Sequence, residues 1–293
     1  MKIIDCFMYF DEDMMLDIRL NILNKYVSNF IICEAAFNHK GLPKKLNFNI
    51  NNFSKFKNKI TYIVVENQPS NLRQIKDDDS KKVKDSIILD NSLNRENFQR
   101  NSLAKKLNYF SDEDLILIND IDEIPNLENF KCKNKITIFK QKMFYYKFNL
   151  IYPGFVWFGS KICKKKHLQS PQWLRNIKSK KYPLWRPDVF FSRKKYYDVG
   201  LIENGGWHFT NIKNAKDIDH KMRNFLHHHE YEESGMNVQS ITKNINEKKV
   251  FYNHFSDKTG DKMNYGQKLE KMNLDQFPKY LLDNQDKFKK WFD

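Results

Sequence analysis

Acidic side chains follow a short aliphatic run near the middle of the chain. Residues 115–118 are all leucine or isoleucine, and Asp120, Asp122 and Glu123 come next, before Pro125. Carboxylate oxygens are the ligands that Mg²⁺ and Mn²⁺ prefer, and open α/β sheets bind ligands beyond the carboxyl ends of their strands. In extended backbone, alternation puts both aspartates on one side. The pattern predicts a metal site after a buried strand, although solvated turns carry the same tripeptide.

A histidine at position 208 is the second candidate for chemistry. Gly205 and Gly206 precede Trp207, His208 and Phe209, so the backbone can turn sharply before a short strand. A histidine at a strand edge serves as a metal ligand, an acid–base group or a structural side chain. The pattern alone leaves these three interpretations open.

The periodicity of apolar side chains predicts the elements that position these residues. Strands are predicted at residues 3–10, 30–33, 60–65, 115–118, 136–139 and 143–148, and helices at 13–27, 95–110, 214–232 and 279–292. The early order of strand, helix, strand and strand is typical of a parallel sheet with crossover connections. Residues 67–94 are polar, and we interpret them as a solvated excursion.

The composition is that of a folded protein with a basic surface. Of 293 residues, 40% are hydrophobic and 30% are charged. The formal net charge of +15 and the pI of about 9.4 favour an anionic partner. Nucleotide diphosphates, acidic glycans, anionic lipid surfaces and nucleic acids all satisfy this charge, which does not choose among them.

The cysteines and the absence of long apolar stretches bear on localisation. The four cysteines show no paired spacing, and Cys6 and Cys33 lie in apolar runs, so we expect free thiols in a reducing compartment. No stretch approaches 18 apolar residues, and Asp5 interrupts the apolar start. We therefore expect a cytoplasmic protein without a transmembrane segment.

Tryptophans and lysines are interleaved between residues 157 and 185. Trp157, Trp173 and Trp185 are separated by lysines at 164–166 and 180–181. Aromatic rings stack on sugars and on bases. Core packing with a solvated basic face explains the same pattern, and both interpretations stay open.

Several of these stretches, in the same order, resemble glycosyltransferase family 17. This family contains the bisecting β-1,4-mannosyl-glycoprotein N-acetylglucosaminyltransferases and their bacterial and viral relatives. The resemblance covers roughly residues 2 to 230. It is carried by residues 4–10 with Glu12 and residues 16–20, by residues 30–34 with the loop His39-Lys40-Gly41-Leu42-Pro43-Lys44, by Arg95-Glu96 and Gln99-Arg100-Asn101, by Asn119-Asp120-Ile121-Asp122-Glu123-Ile124-Pro125, by Gly206-Trp207-His208-Phe209-Thr210, and by Lys221 and Phe225.

The resemblance implies an α/β fold of GT-A type, a Rossmann-like mixed sheet flanked by helices in a single catalytic domain. Residues 1–125 would form the nucleotide-sugar-binding half, residues 126–232 the acceptor-side half, and residues 233–293 a C-terminal helical extension. The implied activity is metal-dependent, inverting transfer of a sugar, N-acetylglucosamine or another hexose. The donor would be a nucleotide-diphospho-sugar, a UDP-sugar first, and the acceptor a hydroxyl of a glycan or glycoconjugate.

The resemblance also implies residue roles. Mn²⁺ or Mg²⁺ would be held by Asp120, Asp122 and His208. Donor binding would involve Asp5, Glu34, Lys44, Arg95, Arg100 and Asp120. An inverting transfer needs a general base for the acceptor hydroxyl, and its candidates are Glu123, Glu203 and Glu230. Glu123 is preferred because it flanks the metal turn.

The chain departs from the family in some respects, and two other functions are alternatives. It lacks the membrane anchor and lumenal cysteines of eukaryotic members, residues 150–200 match weakly, and the register of His227-His228-His229-Glu230 is uncertain. A metal-dependent nucleotidyltransferase would need a glycine-rich loop where Asp11-Glu12-Asp13 stands. A basic polyanion-binding or nucleic-acid-binding protein is the other alternative, but the acidic turn would repel phosphates unless a metal lies there, and no nucleic-acid partner is expected.

Overall fold

The computed structural model describes residues 1–254, 262–263 and 265–293. The strands in these residues are β1 (Ile3–Met8), β2 (Asn29–Ala35), β3 (Ile60–Val65), β4 (Leu115–Asn119), β5 (Glu123–Pro125), β6 (Ile136–Phe139), β7 (Gln141–Tyr145), β8 (Leu150–Trp157), β9 (Lys161–Lys164), β10 (Val199–Ile202), β11 (Gly206–Thr210), β12 (Lys249–Val250), β13 (Gln267–Lys268) and β14 (Glu270–Lys271). The α-helices are α1 (Asp13–Leu23), α2 (Lys81–Ser102), α3 (Pro171–Asn176), α4 (Ala215–Asn224), α5 (His228–Glu233), α6 (Val238–Asn246), α7 (Lys279–Asp283) and α8 (Gln285–Phe288).

The larger sheet has seven strands in the order β10-β6-β9-β4-β1-β2-β3. Its strands β1 to β4 run parallel, and β9 runs antiparallel between β4 and β6. In β4, Leu115 and Leu117 enter one core cluster while Ile116 and Ile118 enter the other, as period-two alternation requires. Both faces of the sheet are therefore buried. This architecture confirms the predicted fold class, a mixed α/β sheet flanked by helices.

A second sheet, which the sequence pattern does not predict, has five strands in the order β14-β8-β7-β11-β5. Strand β5 begins directly after residues 120–122, which we call the acidic turn. It pairs antiparallel with β11, so that Glu123 lies opposite His208. The acidic turn is thus the point where the chain passes from one sheet to the other. The acidic turn and the strand that contains His208 therefore lie side by side.

Three predicted elements differ from the observed ones, and one of them is the predicted helix 279–292, which is divided into α7, α8 and a final 3₁₀ turn, Lys289–Trp291. Helix α2 begins at Lys81, so residues 81–94 are helical and the prediction of an irregular excursion is wrong there. The helix is polar because few of its side chains are buried. The predicted helix 214–232 is divided into α4 and α5, because Phe225 adopts an extended conformation with φ −105° and ψ −178°.

The C-terminal region is more than a helical extension. It contains α6 to α8, but β14 also pairs with β8 and so completes the second sheet. Leu281 and Phe288 pack in the same core cluster as Leu16 and Leu20 of α1. The division of the chain into a donor half, an acceptor half and an extension remains a prediction.

No helix in the described part of the chain has the length and apolar character needed to cross a membrane. All four cysteines are free thiols, as predicted.

Candidate active site

A cavity of about 390 Å³ opens where β1, β2 and β4 of the larger sheet end, at the edge where α/β sheets bind ligands. The predicted site residues that line it are Lys44, Arg100, Asp120, Asp122 and His208. The predicted residues that do not appear among its described lining residues are Asp5, Glu34, Arg95, Glu123, Glu203 and Glu230. The cavity thus brings together the metal candidates and two of the cations expected to bind the donor.

Arg19 of α1 fixes the acidic turn by hydrogen bonds to its backbone carbonyls. Its fully buried guanidinium binds Asp5 through two hydrogen bonds of 2.6 and 2.8 Å. It also donates to the backbone carbonyls of Asp120 and Ile121, at 3.3 Å each, and to that of Glu123. Buried carbonyls without such a donor would be costly. Asp5 therefore anchors the arginine that fixes the turn, and its burial argues against the predicted donor contact.

Asp122 lies where three elements converge. Its Oδ1 is 3.4 Å from Nε2 of His208 on β11, and its Oδ2 is 3.5 Å from Nζ of Lys221 on α4. Burial alone would raise the pKa of Asp122, but Lys221 and His208 outweigh it and hold the pKa well below its usual range. Burial would likewise lower the pKa of Lys221, but Asp122 outweighs that effect and raises it. An anion and a fixed cation therefore face the cavity together.

Asp122 and His208 fit a divalent cation. The 3.4 Å between their nearest atoms is close to the roughly 3 Å that separates neighbouring ligands when metal–ligand bonds are about 2.1 Å long. A carboxylate oxygen and an imidazole nitrogen are both ligands for Mn²⁺. Because Lys221 already neutralises the other oxygen, a metal here needs a further anion to balance its charge.

Asp120 faces two arginines. Its Oδ1 is 3.1 Å from Nη2 of Arg100, and its Oδ2 is 2.8 Å from Nη2 of Arg175. Burial would raise the pKa of Asp120, but Arg175 and Arg100 outweigh it and lower the pKa. Because both oxygens are paired, this geometry supports a role in holding the guanidinium groups at the cavity, rather than the predicted role as a metal ligand.

Arg175 is a cavity residue that the sequence analysis missed. It belongs to α3, a short helix in the stretch between residues 150 and 200 where the family resemblance is weak. Ser170 caps this helix by accepting a hydrogen bond from the backbone N–H of Trp173, and Pro171 is its first residue. The Ser-Pro pair was the available signal, because it predicts a helix start that places Arg175 in the last turn.

Glu123, the preferred base in the sequence analysis, is fully buried and fully bonded. Arg175 binds both of its oxygens, at 2.7 and 3.0 Å. Trp157 Nε1 and the backbone N–H of Asp120 also donate to it, at 2.6 and 2.9 Å. A side chain at Gly159 would place its Cβ 1.8 Å from Glu123 Oε1, so only glycine fits. Since no acceptor hydroxyl can reach Glu123, this geometry argues against its role as base.

Aromatic rings form the wall of the cavity next to the metal candidates. Trp157 of β8 stacks on His208 with ring centroids 4.7 Å apart. Tyr252 and His254 follow at a centroid distance of 4.7 Å, and burial lowers the pKa of His254 to about 3, so its ring is neutral. Flat, uncharged rings beside a charged cluster are what stacking on a sugar face requires.

Glu34 and Lys44 form a pair at the rim of the cavity. Glu34 is fully buried and accepts hydrogen bonds from the backbone N–H groups of Asn47 and Phe48, at 2.8 and 3.1 Å, and from Tyr62 at 2.8 Å. It also binds Lys44. Glu34 therefore holds the loop after β2, which is a reason for its burial that needs no nucleoside. Lys44 remains in place to meet an anion.

Arg95 and Glu203 are not among the described residues that line the cavity. Arg95 donates to Gln68 at 2.6 Å and to the carbonyl of His39 at 3.1 Å, so it braces the loop after β2. Glu203 is 71% exposed and pairs with Lys140 at 2.6 Å. Neither position supports the predicted role in donor binding or in base catalysis.

Glu230 stands behind a histidine of the cavity wall. Its Oε1 is 3.0 Å from Nδ1 of His227, and His227 lines the cavity. Burial would raise the pKa of Glu230, but the hydrogen bond with His227 outweighs it and lowers the pKa. A carboxylate that binds one imidazole nitrogen fixes the orientation of the ring and the position of its proton.

A second group of possible metal ligands lies between α2 and α5. Asp85, His229 and Glu233 bring their ligand atoms within 4.8 Å of one another. His229 Nε2 is 2.9 Å from Asp85, and Lys81 binds Glu233 at 2.8 Å. The group does not line the cavity. Its ion pairs with Lys81 and His229 already account for the clustered carboxylates.

The mixed α/β sheet, with two aspartates, a histidine and several cations at its carboxyl edge, agrees with the fold and the site position predicted from the sequence. The sequence model of glycosyltransferase family 17 matches residues 1–292, and the chain belongs to this family. The family is one of glycosyltransferases.

Two further comparisons add little. A search of curated proteins found no significant match. Among solved structures, the chain is similar to the galactosyltransferase LgtC in complex with donor and acceptor sugar analogues, with 15% sequence identity, 60% of each chain covered and a TM-score of 0.26. The chain thus spans less than two thirds of the length of LgtC.

Proposed function

We propose that this enzyme transfers a sugar from a nucleotide-diphospho-sugar to a hydroxyl group of a glycan or glycoconjugate, with Mn²⁺ or Mg²⁺ as cofactor. UDP-N-acetylglucosamine is the first donor to test, because the family resemblance implies it. The observation that carries the proposal is the convergence of Asp122, His208 and Lys221 at one point of the cavity. A site of mixed charge that needs one more anion suits a metal diphosphate.

Different residues of the cavity bind different parts of the donor. Asp122 and His208 would hold the metal, which would supply positive charge to stabilise the departing diphosphate. Lys221 contributes a point charge, and Arg100 and Arg175 contribute planar guanidinium groups that suit phosphate oxygens. The stack of Trp157 on His208 leaves an aromatic surface for the transferred sugar.

The acceptor proton is removed by His227 with Glu230 as its positioning residue. The support for this assignment is the 3.0 Å contact between Glu230 and His227 Nδ1, together with the location of His227 on the cavity wall. Of the three glutamates considered from the sequence, Glu230 alone adjoins a lining side chain that can carry a proton. An inverting transfer requires such a base on the acceptor side.

Calorimetric titration of the protein with UDP and GDP, each with and without Mn²⁺, tests the donor class. We expect UDP to bind about tenfold or more tightly with Mn²⁺ than without it, and UDP to raise the affinity for Mn²⁺ by the same factor, since coupling is reciprocal. The reason is the charge balance at Asp122, where the cation of Lys221 opposes a metal that arrives alone. Addition of UDP-N-acetylglucosamine and a glycan acceptor then tests transfer.

Two outcomes would contradict the proposal. Equal UDP affinity with and without Mn²⁺ would remove the metal from donor binding. Failure of the folded protein to bind any nucleotide, combined with metal-independent and salt-sensitive binding of polyanions, would contradict a nucleotide-sugar donor.

The variant Glu230→Gln tests the base. We expect kcat to fall by roughly 10²-fold or more, because the amide no longer stabilises the protonated ring of His227. The KM for the donor should be unchanged. His227→Gln should cost about as much, and the two losses should not add, since the residues act as a unit. Glu232→Gln is the matched control, because Glu232 pairs with Lys40 at 2.7 Å. Additive losses, or a rise in KM alone, would contradict the assignment.

A further inference from the structure

The segment between α3 and β10, residues 177–198, presents large apolar side chains to solvent. Leu184, Trp185, Phe190 and Phe191 are 81%, 79%, 73% and 90% exposed. Single exposed apolar residues are common on protein surfaces, but four large ones within eight positions are not. The cavity described above uses none of them.

This segment, which we name the aromatic loop, is an organised structure. Its two ends are joined by a backbone hydrogen bond of 2.7 Å from Lys178 to Lys194. Trp173 of α3 donates to the carbonyl of Arg193 at 3.1 Å. Val189, the last residue of a 3₁₀ turn, Pro187–Val189, is buried. The apolar rings therefore project from a folded scaffold, and their exposure is a property of that fold.

Positive charge surrounds these rings. Residues 178–195 contain seven lysines and arginines and a single aspartate, Asp188. Asp188 pairs with Arg186 and Lys195 at 2.8 and 2.7 Å. Among the described ion pairs, the other five cations have no carboxylate partner; they are Lys178, Lys180, Lys181, Arg193 and Lys194, and all are exposed. The aromatic loop thus offers apolar rings within a field of unneutralised charge.

We propose that the aromatic loop docks on the surface of an anionic lipid bilayer. Tryptophan, phenylalanine and leucine insert at the boundary between headgroups and acyl chains, while lysine and arginine bind anionic headgroups. Both halves of this pattern are present in one folded loop. A second copy of the chain is a poorer occupant, because two surfaces with the same excess of cations repel each other.

Docking here would hold the active site beside the bilayer. The aromatic loop follows α3 directly, and α3 carries Arg175 of the cavity. Substrates presented at a membrane surface would then meet the enzyme at a raised local concentration. This inference goes beyond the proposed function and does not depend on the donor or on the metal.

Sedimentation with vesicles of phosphatidylcholine alone and of phosphatidylcholine with phosphatidylglycerol tests the proposal. We expect the wild-type chain to bind only the anionic vesicles, with an affinity that falls as salt rises. The variant Leu184→Ser/Trp185→Ser/Phe190→Ser/Phe191→Ser should lose about tenfold or more of this affinity. Tyr109→Ser is the matched control, because Tyr109 is 80% exposed and lies outside the aromatic loop.

Tryptophan fluorescence gives a direct second readout. Of the five tryptophans, Trp185 is exposed while the other four are partly buried. Anionic vesicles should therefore shift the emission of the wild-type chain to shorter wavelength, and Trp185→Phe should remove the shift while vesicle binding persists. Far-ultraviolet circular dichroism spectra should be equal in all variants, which shows that they are folded.

Three results would overturn the proposal. These are failure of the folded wild-type chain to sediment with anionic vesicles, equal binding of the wild-type chain and the fourfold variant, and a wild-type dimer in light scattering that the fourfold variant abolishes. The last result would assign the loop to a second copy of the chain.

Discussion

Replacing Asp122 by asparagine will reduce glycosyl transfer by about a thousandfold, because a bound metal supplies several kcal/mol of transition-state stabilisation and about 1.4 kcal/mol corresponds to a factor of ten. Asparagine keeps the shape of the side chain but is a neutral, weaker ligand. It also leaves Lys221 without its carboxylate, 3.5 Å away. We therefore expect UDP to bind the variant with little dependence on Mn²⁺.

The measurement is kcat/KM with UDP-N-acetylglucosamine as Mn²⁺ is varied, at a temperature well below the unfolding midpoint of each variant. Asp112→Asn is the control, since Asp112 is an exposed carboxylate paired with Lys165. Wild-type turnover by Asp122→Asn, with its Mn²⁺ dependence intact, would refute the metal assignment. A large loss of activity in Asp112→Asn would show that the assay reports general charge effects.

Replacing Arg19 by methionine will lower the free energy of unfolding by about 3 to 5 kcal/mol, which is the usual cost of removing one partner of a buried ion pair. Asp5 would be left with no cation in a fully buried position. The carbonyls of Asp120, Ile121 and Glu123 would also lose their common donor. Methionine fills a similar volume, so the loss reports charge and hydrogen bonding more than packing.

Urea unfolding of the wild type and the variant, with unchanged slope, measures this difference. Lys164→Met is the matched control, because Lys164 pairs with Glu113 at the surface and such pairs contribute about 0 to 1 kcal/mol. Adding Asp5→Asn to Arg19→Met should recover part of the loss, since it removes the unpaired buried charge. If Arg19→Met costs no more than Lys164→Met, the turn does not depend on Arg19.

The sequence predicts those features of this protein that depend on a short continuous stretch of residues. Strand β4 and the turn after it follow from four aliphatic residues, three acids and a proline. His208 was found because two glycines and two aromatic residues frame it. By contrast, the second sheet depends on which short strands pair, and pairing over long separations leaves no local signal.

The roles of individual acids were harder to predict than their positions. Asp5 and Glu34 end up in the core with arginine, lysine and backbone donors, while Asp120 and Asp122 face the cavity. An acid in a strand or directly after one has the same kind of local sequence in either case. What decides its role is the partner, and the partner of Asp5 is Arg19, on the helix after the strand.

The clamp of Arg19 on the acidic turn also affects how relatives of this protein should vary. Asp5 and Arg19 touch no substrate, yet neither can change alone without leaving a buried charge unpaired. In an alignment of the family these two positions should therefore be nearly invariant, or should be replaced together. A ranking by conservation alone would identify both positions as catalytic. The burial of both side chains shows instead that they support the acidic turn.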